Sequence, residues 1–182
     1  VKAALPTATL LRPSIVFGTE DGFFNRFAGM ARFAPALPLF GGGKTQFQPV
    51  FAGDVAQAVV AALQSPEAQG ETYELGGPGV YSFAELMRFI LDEIDRPRLL
   101  LPLPWAAGQV IAMLSEMAAI LPFVQPVITR DQLTQLKRDN VVADGAKTLA
   151  DLGIEPETVD AIVPSYLVRY RRYGQFHERQ PS

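Results

Sequence analysis

The eight residues Leu11-Arg12-Pro13-Ser14-Ile15-Val16-Phe17-Gly18 (LRPSIVFG, 11–18) decide how the rest of the sequence is interpreted. The run from Thr9 is rich in β-branched and apolar residues and closes on a glycine, which predicts a buried strand and a turn. Beyond it, segments with strand patterns alternate with segments of helical spacing up to about residue 102. This alternation predicts a layered α/β architecture.

The predicted elements follow one another with little room between them. Strands are expected at 9–18, 46–51, 71–77 and 98–102, and helices at 23–33, 55–63 and 83–94. Ser82 and Glu85 have the spacing of a capping box, and Asp54 is expected to N-cap the helix at 55–63. The Pro- and Gly-rich stretch 35–43 is predicted to be a connection. From Pro104 the pattern becomes helical, with helices expected at 105–121, 130–138, 146–152 and 158–173.

The sequence GGGKT at 41–45 resembles the end of a phosphate-binding P-loop, but its spacing is wrong. A P-loop needs a second glycine five residues before the last one, and that position is Pro38, which has no N–H to donate. A P-loop also leads into a helix, whereas residues 46–51 alternate like a strand. We therefore predict a glycine-rich turn that feeds a strand.

Composition excludes several classes of function. The net charge of −3 argues against a general nucleic-acid binder, which needs clustered cations. The absence of cysteine excludes disulfides, thiolate catalysis and Cys-ligated metals. The single histidine, His177, lies in a polar C-terminal segment, so we expect no metal site and no Ser–His–Asp triad. No secretory signal opens the sequence, and a cytoplasmic location is expected.

The apolar segment 105–121 predicts an amphipathic helix. It is near the lower length limit for spanning a bilayer and carries Gln109, Ser115 and Glu116, which makes spanning the least favoured interpretation. The helix either packs on its own domain, which we favour because it contains no Lys or Arg, or lies on a membrane surface.

Three pieces of the sequence together resemble one family. LRPSIVFG resembles the L-R-P-x-x-x-x-G strand of extended short-chain dehydrogenases/reductases, the NAD-dependent epimerase/dehydratase group. VFAGDVA (50–56) resembles the family's V-x-x-D-V-A step, and YELGGP (73–78) resembles its last Rossmann strand and turn. Four further segments are similar to atypical members related to the nucleotide-binding accessory subunit of respiratory complex I: 47–50, 139–142, 152–156 and 163–167.

The resemblance covers the whole chain but only the second half of the family's fold. It implies an α/β protein that is the C-terminal portion of a Rossmann-type extended domain, with the last sheet strands, plus a mostly helical C-terminal subdomain. Residues 1–80 are expected to belong to the Rossmann part with interleaved substrate-domain elements. Residues 81–182 are expected to form the helical substrate subdomain.

Two motifs of the family are absent from these 182 residues: the Gly-rich G-x-x-G-x-x-G and the Tyr-x-x-x-Lys pair. In the family the Tyr-x-x-x-Lys helix immediately precedes the Arg-Pro strand, so residues 1–6 resemble the last turn of that helix. We therefore expect a fragment that has no catalytic residue, binds no nucleotide alone and is inactive. The intact protein would bind NAD or NADP and act on a small molecule that the sequence does not identify.

The resemblance also implies binding residues. The cofactor-binding candidates are Pro13, Ser14, Ile15 and Val16, because this stretch resembles the family's wall beside the nicotinamide. The alternative is that they are ordinary core residues of a strand. Asn25 and Gln48 are the candidates for substrate contact. Arg26 either lies with Asn25 at the lip that faces the substrate or pairs with Asp21 or Glu20 on a solvated face. Phe47 stands where nucleotide-sugar epimerases carry a diphosphate-binding arginine, which makes such a substrate less favoured.

A second interpretation is a non-catalytic accessory or assembly protein of a respiratory membrane complex, peripheral to the inner membrane. The basic segment 169–173 (RYRRY) fits either a solvated helix face or docking to an acidic partner or anionic lipid. Strands meant for a sheet interior would leave unpaired edges, so the fragment is expected to self-associate.

Overall fold

The computed structural model describes residues 1–118 and 129–172 of the chain. Its strands are β1 Leu10–Pro13, β2 Val16–Phe17, β3 Ala36–Phe40, β4 Gln46–Phe47, β5 Val50–Phe51, β6 Thr72–Leu75, β7 Tyr81–Ser82 and β8 Leu99–Leu103. Its helices are α1 Phe24–Phe33, α2 Ala52–Gln64, α3 Phe83–Glu93, α4 Trp105–Ala118, α5 Arg130–Gln135 and α6 Val159–Leu167. The alternation of strands and helices up to β8, followed by helices, confirms the predicted α/β class.

The strands pair across long stretches of sequence. β1 pairs with β6, β2 with β5 and β3 with β8, all in parallel, whereas β4 and β7 are antiparallel. Two of these pairs, β3 with β8 and β4 with β7, join residues before and after position 80, so the two predicted domains are interleaved in space. The boundary at residue 80 itself stays a prediction.

The stretch 35–43 is not the simple connection that its Pro and Gly content predicts. Residues 36–40 form β3, which lies alongside β8 in register from Ala36–Leu99 to Phe40–Leu103. Leu37, Leu39 and Phe40 of β3 are buried. The prediction was wrong because the partner strand lies some sixty residues further along, where local composition gives no signal of it.

The three glycines after β3 form the predicted turn. Gly41, Gly42 and Gly43 make a 3₁₀ turn in which all three have positive φ, a conformation that favours glycine. A Cβ on Gly41 would lie only 2.3 Å from the indole of Trp105, so glycine is also needed for close packing. The turn leads into β4, which confirms that GGGKT is not a P-loop.

The largest apolar core lies between α1, α3 and α6. Phe17, Phe24 and Phe83 are fully or almost fully buried in it, and Val163 of α6 closes it from the C-terminal side. A second core lies beneath α2 and contains Tyr73 and Leu75 of β6. The C-terminal helices therefore pack directly on the strand-bearing part of the chain.

The local helix signals differ in how well they predict the structure. The capping box at Ser82 and Glu85 is confirmed, with both reciprocal hydrogen bonds present at the start of α3. The helix predicted at 146–152 is reduced to a 3₁₀ turn at Ala150–Leu152. The strand predicted at 46–51 is divided into β4 and β5, which are separated by Gln48 and Pro49. The end of the helix predicted at 105–121 lies outside the described residues. The helix predicted at 158–173 is shorter than expected, because α6 ends at Leu167 and is followed by a 3₁₀ turn at Val168–Tyr170.

Asp54 has a different role from the predicted N-cap. Helix α2 begins at Ala52, so Asp54 lies in its first turn, and its side chain caps no α2 N–H. The Asp54 Oδ2 instead accepts a hydrogen bond of 2.8 Å from the backbone N–H of Glu157, and Asp54 is only 1% exposed. Asp54 therefore ties the segment before α6 to the end of β5.

We expect Asp54→Ala to lower the free energy of unfolding by about 1–3 kcal/mol, because the backbone N–H of Glu157 would lose the carboxylate of the buried Asp54 as its acceptor. Chemical denaturation followed by circular dichroism measures this. Glu155→Ala removes an exposed carboxylate from the same segment and is expected to change stability little. Equal effects of the two substitutions would contradict the role given to Asp54.

Candidate functional site

The candidate cofactor residues lie where β1 ends. Ser14 follows β1, and its N–H donates to the carbonyl of Leu75 at 2.9 Å. The carbonyl of Ile15 accepts from the N–H of Val50 at 2.9 Å. Pro13, Ser14, Ile15 and Val16 thus form the step from the β1–β6 pair to the β2–β5 pair. In parallel α/β sheets, ligands bind beyond the carboxyl ends of the strands.

This end of the sheet is open on one side. Among the described residues, β1 pairs only with β6, and its other edge has no strand partner. Because Leu10 and Ser14 donate to the β6 side, the intervening N–H of Leu11 faces the open edge. Val16 is 38% exposed beside it. The residues predicted to meet a cofactor are therefore accessible, and the predicted role of each stays a prediction.

A cavity of about 260 Å³ lies next to this step, between α1, α4 and α5. Most of its wall is aromatic or aliphatic: Ile15, Phe23, Phe27, Met30, Phe40 and Phe47. Phe23 packs edge-to-face against Phe27, with ring centroids 5.1 Å apart. Ile15 is the one candidate cofactor residue that lines the cavity, so cavity and strand end are adjacent.

The polar side of the cavity comes from Arg26, Gln132, Gln135 and Asn140. The Arg26 Nη1 donates to the Gln132 Oε1 at 3.0 Å, which joins α1 to α5. Arg26 is thus bonded to Gln132 and lines the cavity, and its place at a substrate-facing lip stays a prediction. No described lining residue is acidic.

Asn25, a predicted substrate contact, lies beside the cavity and does not line it. Its Nδ2 donates to the carbonyls of Thr19 and Asp21, both at 3.1 Å. Its Oδ1 accepts from the Arg169 Nη2 at 2.7 Å. In this structure Asn25 therefore holds the loop before α1 against the C-terminal segment.

Gln48, the other predicted substrate contact, connects three parts of the chain. Its Nε2 donates to the carbonyl of Gly77 at 2.8 Å, and its Oε1 accepts from the N–H of Val142 at 2.9 Å. Its own N–H donates to the carbonyl of Asn140 at 3.0 Å, and the Ser14 Oγ donates to that same carbonyl at 2.7 Å. Gln48 and Ser14 together position Asn140 at the cavity.

The basic segment near the C-terminus packs against α1 and α3. Arg169 donates to the carbonyl of Thr19 as well as to Asn25, and Arg171 lies 3.5 Å from the Glu93 carboxylate. The Arg171 Nε also donates to the carbonyl of Glu93 at 3.0 Å. These contacts tie the exposed Arg169 and the partly buried Arg171 to the rest of the chain, so a solvated face stays possible for Arg169 alone of the two; Tyr173 lies outside the described residues.

The Tyr166 side chain lies beside the loop that precedes α1, near Gly18 and Asp21. Its hydroxyl is buried and has no hydrogen-bond partner of standard geometry among the described residues. Burial raises the pKa of Tyr166, and the neighbouring Asp21 carboxylate raises it further, so the phenol stays neutral at physiological pH. A tyrosine with a raised pKa does not fit the role of a proton donor activated by lysine.

Sequence reasoning missed Gln132 and Asn140 as cavity residues. Gln132 belongs to a capping box with Thr129 at the start of α5, a signal that a local sequence search could have found. Its contact with Arg26 links positions 106 residues apart, and no local pattern predicts such a contact.

Parallel strand pairs, a candidate site at their carboxyl ends and a helical subdomain over an adjacent cavity define a Rossmann-type α/β protein. Residues 5–76 match the model of the NAD dependent epimerase/dehydratase family. This match, over about two fifths of the chain, confirms the resemblance seen in the sequence.

The chain is similar to curated proteins over nearly its full length. It is 37% identical to the NADH dehydrogenase [ubiquinone] 1 alpha subcomplex subunit 9, mitochondrial, of Arabidopsis thaliana, a match that covers 94% of this chain and 44% of that protein. It is 33% identical to the Mus musculus subunit of the same name, over 100% of this chain and 48% of that protein. The chain thus spans about half the length of these relatives.

A solved structure supports the fold. The dTDP-glucose 4,6-dehydratase DesIV of Streptomyces venezuelae, whose structure has NAD bound, matches with a TM-score of 0.58 at 15% identity. The match covers 91% of this chain and 44% of DesIV. At this level of identity the likeness establishes the fold alone.

We expect Gln48→Leu to lower the free energy of unfolding by about 1–3 kcal/mol, because the N–H of Val142 and the carbonyl of Gly77 would lose their partners. Hydrogen exchange at Val142 should accelerate at the same time. Gln46→Leu is the matched control, since the Gln46 side chain makes only a 3.5 Å contact with the carbonyl of Lys44. Unchanged exchange at Val142 in Gln48→Leu would refute the connecting role.

Proposed function

We propose that this chain forms the C-terminal half of an NAD(P)-binding protein of the epimerase/dehydratase family. The observation that carries the proposal is the open edge of β1, next to a family match over 5–76. A chain that spans 44–48% of its relatives is the size expected for one half of such a protein. The other half would pair with β1 and supply the Gly-rich grip on the pyrophosphate.

In the intact protein, Pro13 to Val16 would form the wall beside the nicotinamide. Support comes from their position at the carboxyl end of β1 and from the accessibility of Val16. The backbone carbonyl of Ile15 and the N–H of Ser14 are already bonded to neighbouring strands, so contact would come mainly from side chains. A bound dinucleotide would supply hydride chemistry, and these residues would orient its nicotinamide end.

We expect the 182-residue chain to show no saturable binding of NADH or NADPH at micromolar concentrations, because it lacks the pyrophosphate-binding motif. A longer polypeptide that begins upstream of the Gly-rich motif should bind at micromolar concentrations by isothermal titration calorimetry. In that longer protein Val16→Glu should weaken NADH binding by about tenfold, which corresponds to about 1.4 kcal/mol.

Phe33→Glu is the control in the longer protein, because Phe33 is 85% exposed at the far end of α1. Its affinity for NADH should stay within about twofold of the unmodified protein. Micromolar binding by the 182-residue chain, or equal affinities of Val16→Glu and the unmodified protein, would contradict the proposal.

The second candidate function is that of an accessory subunit in a respiratory membrane complex. The names of the curated relatives favour it, and so does one face of α4. Gly108 and Ala112 turn the opposite face of α4 toward Phe40 and Leu133. The outer face carries Val110, Met113, Leu114 and Met117 at helical spacing, each about half exposed. None of the helices within 1–118 and 129–172 combines the length and hydropathy needed to cross a bilayer.

This outer face of α4 would rest on an apolar surface at the membrane, so the protein would lie at the periphery of the membrane. Because α4 contains no Lys or Arg, the contact would depend on apolar burial and not on anionic lipid. An intact Tyr-x-x-x-Lys pair in the other half would favour an enzyme, and its loss would favour a nucleotide-binding accessory subunit.

We expect the chain to co-sediment with phosphatidylcholine vesicles, and Leu114→Glu to weaken this partitioning by about tenfold through lost apolar burial and a desolvated charge. Gln109→Glu adds the same charge at an exposed polar position of the same helix and should have a smaller effect. Equal partitioning of the two variants would argue against this face as the contact.

A further inference from the structure

The cavity between α1, α4 and α5 is built for a much smaller and less polar molecule than a nucleotide sugar. Its volume of about 260 Å³ compares with the roughly 150 Å³ that holds benzene in a protein core. By this comparison it accommodates a group of about ten non-hydrogen atoms. A nucleoside diphosphate sugar is several times larger.

The apolar wall favours a ring. Phe40 and Phe47 are 3% exposed and Phe27 is 8% exposed. Neighbouring residues therefore pack against the sides of these rings that face away from the cavity and hold the rings in place. Phe23 and Phe47 are tilted against one another, with centroids 6.2 Å apart. Aromatic walls of this kind pack well against the faces and edges of another ring.

The polar groups favour an oxygen acceptor on that ring. Arg26 is the only charged residue among the described lining residues. Gln132 and Asn140 also line the cavity and carry amide N–H groups, and the Asn140 side chain makes no hydrogen bond with the rest of the described chain. A carboxylate or carbonyl oxygen would be favoured by this set, whereas a cationic group would be repelled by Arg26 and would find no carboxylate.

We propose that this cavity binds a small aromatic or alicyclic molecule that carries one carbonyl or carboxylate oxygen. The ring lies among Phe23, Phe27 and Phe47, and the oxygen faces Arg26 and Asn140. Ile15 belongs both to the cavity and to the cofactor wall, so the bound molecule would also be the reaction partner of the nicotinamide. This last point alone rests on the proposed function. Binding itself needs only the residues of this chain.

The test compares three probes of nearly equal size on the 182-residue chain: benzoate, acetophenone and benzylamine. Chemical-shift titration by NMR should give saturable binding of benzoate and acetophenone, with dissociation constants of about 0.1–1 mM for ligands of this size. Benzylamine should bind at least about tenfold more weakly than either oxygen ligand. Absence of saturable binding, or equal binding of all three probes, would overturn the proposal.

Matched variants locate the site. Ile111 lines the cavity from α4, so Ile111→Trp should fill it and weaken benzoate binding by at least about tenfold. Val110→Trp adds the same side chain at an exposed neighbouring position outside the cavity and should leave affinity within about twofold. Benzoate binding that survives Ile111→Trp would place the site elsewhere and overturn the proposal.

Arg26→Gln distinguishes the binding of a carboxylate from the binding of a carbonyl oxygen. It should reduce benzoate affinity by about tenfold and acetophenone affinity by much less, because only the carboxylate gains from the positive charge. Arg12→Gln removes a mostly exposed cation of β1 as a control and should change neither affinity. Failure of these titrations would leave NADH binding by the longer protein untouched, so the two proposals can fail separately.

Discussion

The parallel pairing of β1 with β6 is the constraint on which the rest of this structure depends. It aligns Leu10 with Thr72 and Pro13 with Leu75, and so fixes where β1 ends. On the other side of β6, Tyr73 and Lys147 form a parallel bridge, which brings the C-terminal segment to the same sheet. Because β6 is paired on both edges and β1 on one, the open edge of the sheet belongs to β1. The candidate cofactor residues, Pro13 to Val16, begin where this open-edged strand ends.

The site combines rigid apolar walls with a few polar groups held by the backbone. Asn140 reaches the cavity because Gln48 and Ser14 bind its carbonyl, and Arg26 reaches it because α1 and α5 meet. Each of these contacts joins distant parts of the chain. Ser14 and Gln48 thus hold Asn140 in place, whereas Arg26 and Asn140 themselves line the cavity.

Much of the fold could be predicted from local sequence. The capping box at Ser82 and Glu85 has its signal within a few residues and is present in the structure. The buried strand predicted at 9–18 is divided into β1 and β2, and of its residues only Phe17 and Gly18 are buried. The strand β3 and the Asp54–Glu157 hydrogen bond could not be predicted, because their partners lie far away in sequence. The same reason explains the candidate site: its cofactor segment was visible as a motif, whereas the places of Gln132 and Asn140 beside the cavity depend on contacts with distant residues.

The sequence by itself determined the α/β class, the family resemblance and the absence of a P-loop, since each depends on the spacing of neighbouring residues. Only the tertiary structure decided that Arg26 faces a cavity, that Gln48 joins three segments and that α4 keeps an exposed apolar face. The physical reason is that hydrogen bonds and burial act through space. A residue's pattern in the chain limits its secondary structure, but its contacts are set by whichever distant segment packs against it.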